Sequence, residues 1–254
     1  MLSFPNGKIN IGLFITEKRA DGYHNLETVF YPAPVKDILE FVETEQEASM
    51  TTTGLPLNNH ISDNLVWKAY QLLKELFPQR VLPLEIHLHK TIPTGAGLGG
   101  GSADSAFMLK MLNDHFRLHL SVEDLCELAL KLGSDCPYFI YNSPQFATGR
   151  GELMQTLPID LTDFHLQIKY TSVHVSTAKA FQLIKPKPAP FDLRNLIHLS
   201  ILEWKQFVFN DFEEPVFMMH PELADMKQQL YDEGALFASM TGSGSAFFGI
   251  FPKH

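Results

Sequence analysis

Pro93-Thr94-Gly95-Ala96-Gly97-Leu98-Gly99-Gly100-Gly101-Ser102-Ala103 is the stretch on which the reading of this chain turns. Five glycines fall within the seven residues 95–101. Without a Cβ they let the backbone enter positive φ and come close to a ligand. A plain tight turn needs one or two glycines, not five. A helical pattern comes next, from about Ser102 to Phe116. The unbonded N–H groups and dipole end at a helix start favour an anion, most often phosphate. A Walker A loop needs a lysine directly after its glycines, and none stands there. Gly95-x-Gly97-x-x-Gly100 also matches the dinucleotide fingerprint behind a strand. That fingerprint opens the first βαβ unit of its domain, whereas in this chain strands and a helix come first.

Upstream, residues 84–89 alternate as a strand. So do residues 9–15, where Ile9, Ile11, Leu13 and Ile15 share one face, predicting a strand with one buried side. Asp21-Gly22 signals a turn, and residues 26–31 a returning strand. Residues 38–44 and 49–53 are further strand-like runs. Ser62 or Asp63 can cap a helix whose apolar positions run from Leu65 to Phe77, stopped by Pro78. Downstream, Ser121 and Asp124 form a capping-box pattern before the stripe Val122, Leu125, Leu128, Ala129 and Leu132, with Gly133 at the helix C′ position. After Arg150 the pattern restarts, with strands over 164–172 and 247–251 and a helix over 222–232 between Pro221 and Gly234. The Pro-rich 185–190 reads as loop, and Lys185 and Lys187 as a solvated basic spot. Strands and helices mix without strict βαβ alternation, so the fold class is α+β.

The chain has 254 residues, 45% hydrophobic and 19% charged, enough for a large core. Its net charge of −9, without basic runs, argues against nucleic-acid or anionic-membrane partners. No run of about 18 apolar residues is present, and the start shows no signal-peptide pattern. Cys126 and Cys136 are the only cysteines, too few for a disulfide framework or a thiolate zinc site, and they fit a reducing cytoplasm. His87/His89 and the i, i+4 pair His115/His119 lack a third ligand, so no protein metal site is expected. Cys136 abuts Asp135, but nothing beside it marks an activated thiolate.

The glycine stretch resembles the phosphate loop of the GHMP kinase superfamily, Pro-x-x-x-Gly-Leu-Gly-Ser-Ser-Ala, with one extra glycine. The Gly-Gly-Gly-Ser form is similar to the branch that phosphorylates a cytidine-diphosphate-linked methylerythritol. Lys8-Ile9-Asn10 with Arg19-Ala20-Asp21-Gly22-Tyr23-His24, then Gly133-Ser134-Asp135-Cys136-Pro137, Asn210-Asp211-Phe212-Glu213 and Met240-Thr241-Gly242-Ser243-Gly244-Ser245 resemble further motifs of that branch, in family order. The resemblance implies an N-terminal half like ribosomal protein S5 domain 2, over 1–152, and a ferredoxin-like C-terminal half, over 153–254, with the active site in the cleft between them.

It also implies the roles. Residues 93–103 bind ATP, and the backbone donors of 97–102 hold its β/γ-phosphates. Ser102 bonds a phosphate or touches Mg²⁺. Asp135 is the base for the 2-hydroxyl. An ordinary carboxylate, with pKa about 3.9, is too weak to ionise an alcohol in the ground state. It accepts the proton only as the hydroxyl attacks, so its first task is orientation. Lys8 neutralises developing charge. Tyr23 stacks on cytosine, His24 bonds its edge, Phe181 is the second stacking aromatic and Thr177 supports the pocket. Asn10 contacts the erythritol part, and Gly242 and Gly244 close over the ligands. Core packing is the alternative for Phe181, and a tight turn the alternative for the two glycines. Partners are then ATP and one small molecule, with a monomer or weak homodimer. A homoserine kinase is disfavoured because it lacks the aspartate matched by Asp135, and a mevalonate kinase by the Gly-Gly-Gly-Ser loop and Tyr23-His24. A non-catalytic metabolite sensor would have no need of Lys8, Asp135 and the loop together. Two departures stand out: the chain is shorter than usual for the family, and Ser105 stands where alanine is common.

Overall fold

The computed structural model describes residues 1–57 and 60–253. In chain order the elements are β1 (Leu2–Ser3), β2 (Asn6–Lys18), β3 (His24–Lys36), β4 (Ile38–Glu43), β5 (Ser49–Gly54), α1 (Leu65–Leu76), β6 (Leu84–Lys90), α2 (Gly100–His115), α3 (Val122–Leu132) and α4 (Cys136–Tyr141). β7 (Gln145–Thr148), β8 (Leu153–Thr156), β9 (Phe164–Lys169), α5 (Thr177–Leu183), α6 (Ile201–Phe207), α7 (Glu213–Met219), α8 (Glu222–Asp232), β10 (Phe237–Met240) and β11 (Phe247–Pro252) complete it. The class is α+β, as expected.

Packing divides the chain into two units. The first holds Met1–Gly7, Val35–Thr94 and Gly99–Asn142; the second holds Lys8–Pro34, Gly95–Leu98 and the chain from Ser143 onward. These ranges interleave, so they are a different partition from segments 1–152 and 153–254.

In the first unit four strands form a sheet in the order β1-β4-β6-β5, antiparallel except for the parallel pair β5–β6. In β6, Leu84, Ile86, Leu88 and Lys90 are buried, while Glu85 is exposed and His87 and His89 partly so, the period-2 pattern of a half-covered strand. Helix α2 is buried on most of its circumference, and α1, α3 and α4 all pack against it. Small residues such as Ala103, Ser105 and Ala106 permit that close approach.

The second unit has two sheets, β2-β3-β7-β8 and the antiparallel β10-β11-β9. Helices α6 and α8 pack on the latter. An antiparallel sheet covered by helices fits the ferredoxin-like expectation. Its core joins Phe212, Val216, Leu223, Leu230, Met240 and Phe247 to Leu13 and Ile15 of β2.

Several local expectations are corrected. Strand β2 is buried on both faces from Asn6 to Ile15, not one. The segment 209–211 lies along it: Leu13 donates to the Phe209 carbonyl and accepts from Asp211 N–H, and Ile15 N–H bonds the Asp211 carboxylate at 2.7 Å. Helix α1 is capped by neither Ser62 nor Asp63, which lie in a 3₁₀ turn. Asn64 is the cap, accepting from Val66 N–H at 2.9 Å. Helix α2 begins at Gly100, two residues early, because Gly99 at φ 68° makes the left-handed entry and leaves Gly100 and Gly101 free to wind. The Ser121/Asp124 capping box is present, but Gly133 ends α3 with extended backbone, φ 174°, not a left-handed turn. Helix α2 ends at His115, and Arg117 and His119 take positive φ, so His115 and His119 do not share a helical face. Lys187 is not merely solvated: its ammonium lies 3.6 Å from Asp211, and its N–H bonds the Ile15 carbonyl.

Candidate active site

One face of β2 carries Lys8 and Asn10, two residues apart and so on one side of the strand. Both are nearly inaccessible, 4% and 2% exposed. Lys8 Nζ donates to Asn10 Oδ1 at 2.7 Å and stands 5.1 Å from the centre of the Phe30 ring. Asn10 Oδ1 also accepts from Gly242 N–H at 3.0 Å and the Thr241 hydroxyl at 3.2 Å. Asn10 Nδ2 donates to Thr28 Oγ1 at 2.9 Å.

Residues 95–98 are sewn to this centre. Lys8 N–H bonds the Leu98 carbonyl at 2.8 Å, and Ala246 N–H bonds the Ala96 carbonyl at 3.1 Å. Gly95, Gly97 and Gly99 have φ of 75°, 81° and 68°, the alternation only glycine adopts freely. A Cβ on Gly97 would collide with the Thr241 carbonyl oxygen.

The motif at 210–213 braces the same region. Asn210 Nδ2 donates to the carbonyls of Met240 and Gly242, at 2.9 and 2.8 Å. Glu213 accepts from the Ser239 hydroxyl and Met240 N–H, each at 2.9 Å, and from Lys227 at 2.6 Å. Asp211 anchors β2, and burial lifts its carboxyl above the usual range despite Lys187 and the Ile15 N–H.

In the first unit the loop passes into α2. The N–H groups of its first turn have no acceptor within the helix and point out from its N-terminus, as an anion site requires. Beneath lies a buried trio: Lys90 pairs with Asp37 and, at 2.7 Å, with Asp104. All three are at most 3% exposed. Two carboxylates share one ammonium. Burial pushes the Asp104 carboxyl up to about 7, helped by the Asp37 charge and opposed by Lys90. Ser105 fits its unusual place by bonding the Ser102 carbonyl at 3.0 Å and meeting Cys136 Sγ at 3.4 Å. Asp135 precedes α4 at its N-cap position, yet its carboxylate does not cap the helix. Burial raises the neighbouring Cys136 thiol, so no activated thiolate stands there.

In the second unit His24 and Phe181 stack, centroids 4.9 Å apart at 21°, and Phe181 meets Phe212 edge-on at 4.8 Å. Phe181 therefore touches both the core ring of Phe212 and the ring of His24. Burial lowers the His24 pKa, keeping a neutral ring with one donor and one acceptor. Tyr23, 56% exposed, lies not on that stack but under the Arg150 guanidinium at 4.8 Å. Thr177 and Ser243 hydroxyls meet at 2.8 Å.

The sequence reading gave no role to Thr28, Asn210 or Thr241, all buried and bonded. Asn210 and Thr241 sit inside quoted motifs, which was a usable signal. Thr28 reads as an ordinary β-branched strand residue and gave none. His87 and His89 are bridged by the Thr53 hydroxyl, at 2.9 and 2.8 Å. Among the described residues no group of three or more His, Cys, Asp or Glu could hold a metal ion.

The N-terminal GHMP kinase domain model matches residues 64–143 and the C-terminal one residues 192–254. The 4-diphosphocytidyl-2-C-methyl-D-erythritol kinase of Bacteroides thetaiotaomicron is 48% identical over 254 residues, covering 99% of this chain and 92% of that protein. The chain belongs to the 4-diphosphocytidyl-2-C-methyl-D-erythritol kinase family of GHMP kinases. Another member, from Cytophaga hutchinsonii, is 42% identical over 99% of this chain and 92% of its own. A solved 4-(cytidine 5'-diphospho)-2C-methyl-D-erythritol kinase superposes with TM-score 0.80 at 28% identity, covering 98% of this chain and 90% of that one. A Streptococcus pneumoniae phosphomevalonate kinase, 13% identical with TM-score 0.72 over 100% of this chain and 93% of its own, shares the fold. The family's fold is thus the GHMP kinase fold expected from the motifs.

Proposed function

We propose that this kinase transfers the γ-phosphoryl group of ATP to the 2-hydroxyl of 4-diphosphocytidyl-2-C-methyl-D-erythritol, releasing ADP and the 2-phosphate, in the non-mevalonate route to isopentenyl diphosphate. The observation that carries the reading is the Lys8 centre. In a member of this family, a desolvated ammonium is fixed by Asn10 where the strap 95–98 and the turn 240–242 are both tied down.

Phosphoryl transfer is mostly positioning and charge neutralisation. The first-turn N–H groups of α2 and the glycines before them cradle the β/γ-phosphates. Lys8 neutralises charge on the transferring group. Asp135, at the N-cap position of α4, orients the 2-hydroxyl and accepts its proton as attack proceeds. Mg²⁺ bound with ATP supplies charge neutralisation. A nucleotide-borne Mg²⁺ keeps several waters and needs few protein ligands. The Ser102 hydroxyl is the protein oxygen we assign to it or to a phosphate.

The cytosine stacks with Tyr23 and Phe181. His24, neutral and able to both donate and accept, reads its edge from beside Phe181. Thr177 with Ser243, and Gly242 with Gly244, line the rest. Residues 1–152 and 153–254 serve as the family's two domains; the matched segments fall one on each side. The acidic balance supports a protein without nucleic-acid or membrane partners. Among the described residues no helix is long and apolar enough to cross a membrane. We take the enzyme to act as a monomer or weak homodimer in the cytoplasm.

The test is phosphorus NMR of the reaction mixture. A new phosphomonoester signal beside an intact diphosphate supports the reading. ADP without that monoester overturns it.

A further inference from the structure

We propose that Thr28 is a positioning residue for the phosphoryl transfer: it latches the Asn10 amide so that the amide oxygen must face Lys8. The proposal rests on the reading of Lys8 above and adds a residue to it.

The latch rests on donor counting. Thr28 Oγ1 lies 2.6 Å from the Gly12 carbonyl oxygen. A carbonyl can only accept, so the single hydroxyl proton of Thr28 is directed there. The rest of Thr28 Oγ1 is lone pairs. The Asn10 atom 2.9 Å away must therefore be the donor, Nδ2. The amide oxygen then points the opposite way, towards Lys8 Nζ at 2.7 Å, Gly242 N–H at 3.0 Å and the Thr241 hydroxyl at 3.2 Å. A flipped amide would set an oxygen against the Thr28 lone pairs and an NH₂ against an ammonium and a backbone N–H. Bonding logic alone thus fixes the amide orientation.

For the chemistry this matters in two ways. The amide oxygen fixes where the Lys8 ammonium stands, so its charge meets the phosphoryl group from a set position. The same oxygen holds Gly242, so the ammonium and the turn 240–242 share one fixed point. With Lys8 and Gly242 N–H on its oxygen, the Thr241 hydroxyl shared between that oxygen and the Gly97 carbonyl at 3.2 Å each, and one Nδ2 hydrogen on Thr28, Asn10 keeps a single N–H for a ligand. Its main work is internal. Thr28 is wholly buried, so the latch is insulated from solvent competition.

The test compares Thr28→Val with Thr28→Ser, using kinetics and hydrogen exchange of the Asn10 side-chain amide by NMR in the ligand-free protein. Thr28→Val should lower kcat about ten-fold or more with KM for ATP little changed, and speed Asn10 Nδ2 exchange by at least about ten-fold. Thr28→Ser, which keeps the hydroxyl, should restore both. Thr28→Ala, which introduces no bulk against Gly12, replaces the valine variant if that one folds poorly, with the same expectation. Wild-type exchange and kcat in a folded hydroxyl-less variant would overturn the latch, as would failure of serine to rescue. The exchange readout needs no substrate, so it decides the latch even if the proposed reaction is not the one catalysed.

Discussion

At Gly97 the missing side chain is a packing requirement. Its φ of 81° and its approach to the Thr241 carbonyl each exclude a Cβ. Gly97→Ala should cost at least ~1–2 kcal/mol from the backbone conformation alone, and more from the collision. Urea unfolding should show the loss and kinetics a raised KM for ATP; a variant of wild-type stability would contradict the contact. At Asp135 the question is chemical. Asp135→Asn preserves shape and removes proton acceptance, so kcat should fall by ~10²–10⁴-fold while calorimetry still finds nucleotide binding. Turnover near wild type would remove Asp135 from the proton's path. The glycines were legible residue by residue because positive φ is written in composition. Thr28 and the internal bonding of Asn10 were not, because they depend on which hydrogen goes where, and only proximity reveals that.

The element scale is governed by how each segment is stapled. Helix α2 carries Asp104 on its inner side against Lys90 and Asp37. Its carboxyl, raised to about 7 in the fold, binds a proton there more tightly than in the unfolded chain, where its value is 3.8. A raised folded pKa contributes stability that is complete below the unfolded value and is lost as pH climbs towards the folded one. The protein should therefore lose stability from this site between about pH 4 and 7. Asp104→Asn, neutral throughout, should gain in melting temperature relative to wild type across that window, by a few degrees. A difference independent of pH would contradict the raised Asp104 carboxyl. The capping box of α3 is a simpler case: Ser121→Ala should cost ~1 kcal/mol in thermal or urea unfolding. Strands β4 and β6 and helices α1, α3 and α8 were readable, since each carries a full period of apolar spacing, and β5 through its β-branched threonines. Helices α4 to α7, of six or seven residues, and strands β7, β8 and β10, of four, are too short to show one. Their positions are decided by partners distant in sequence, as Asn210 and Glu213 are by β10 and the turn after it.

For the whole molecule, ordered motifs from residue 8 to 246 carried more than any element. The α+β class came from mixed periodicity and the fold from those motifs. The interleaving of the packing units was not legible, because it depends on β2, β3 and residues 95–98 packing with the chain after Asn142. Substrate choice belongs at this scale too. Tyr23→Ala with Phe181→Ala should raise KM for the cytidylated substrate far more than KM for ATP, since stacking contributes ~1–3 kcal/mol per base. An unchanged substrate KM would refute the aromatic site.

The most direct test of the central claim is ADP release from Mg²⁺-ATP with 4-diphosphocytidyl-2-C-methyl-D-erythritol, run beside homoserine and mevalonate. The account predicts release with the cytidylated alcohol alone. Release with either of the others, or ATP binding with no release from any, would contradict it, the latter leaving a metabolite sensor.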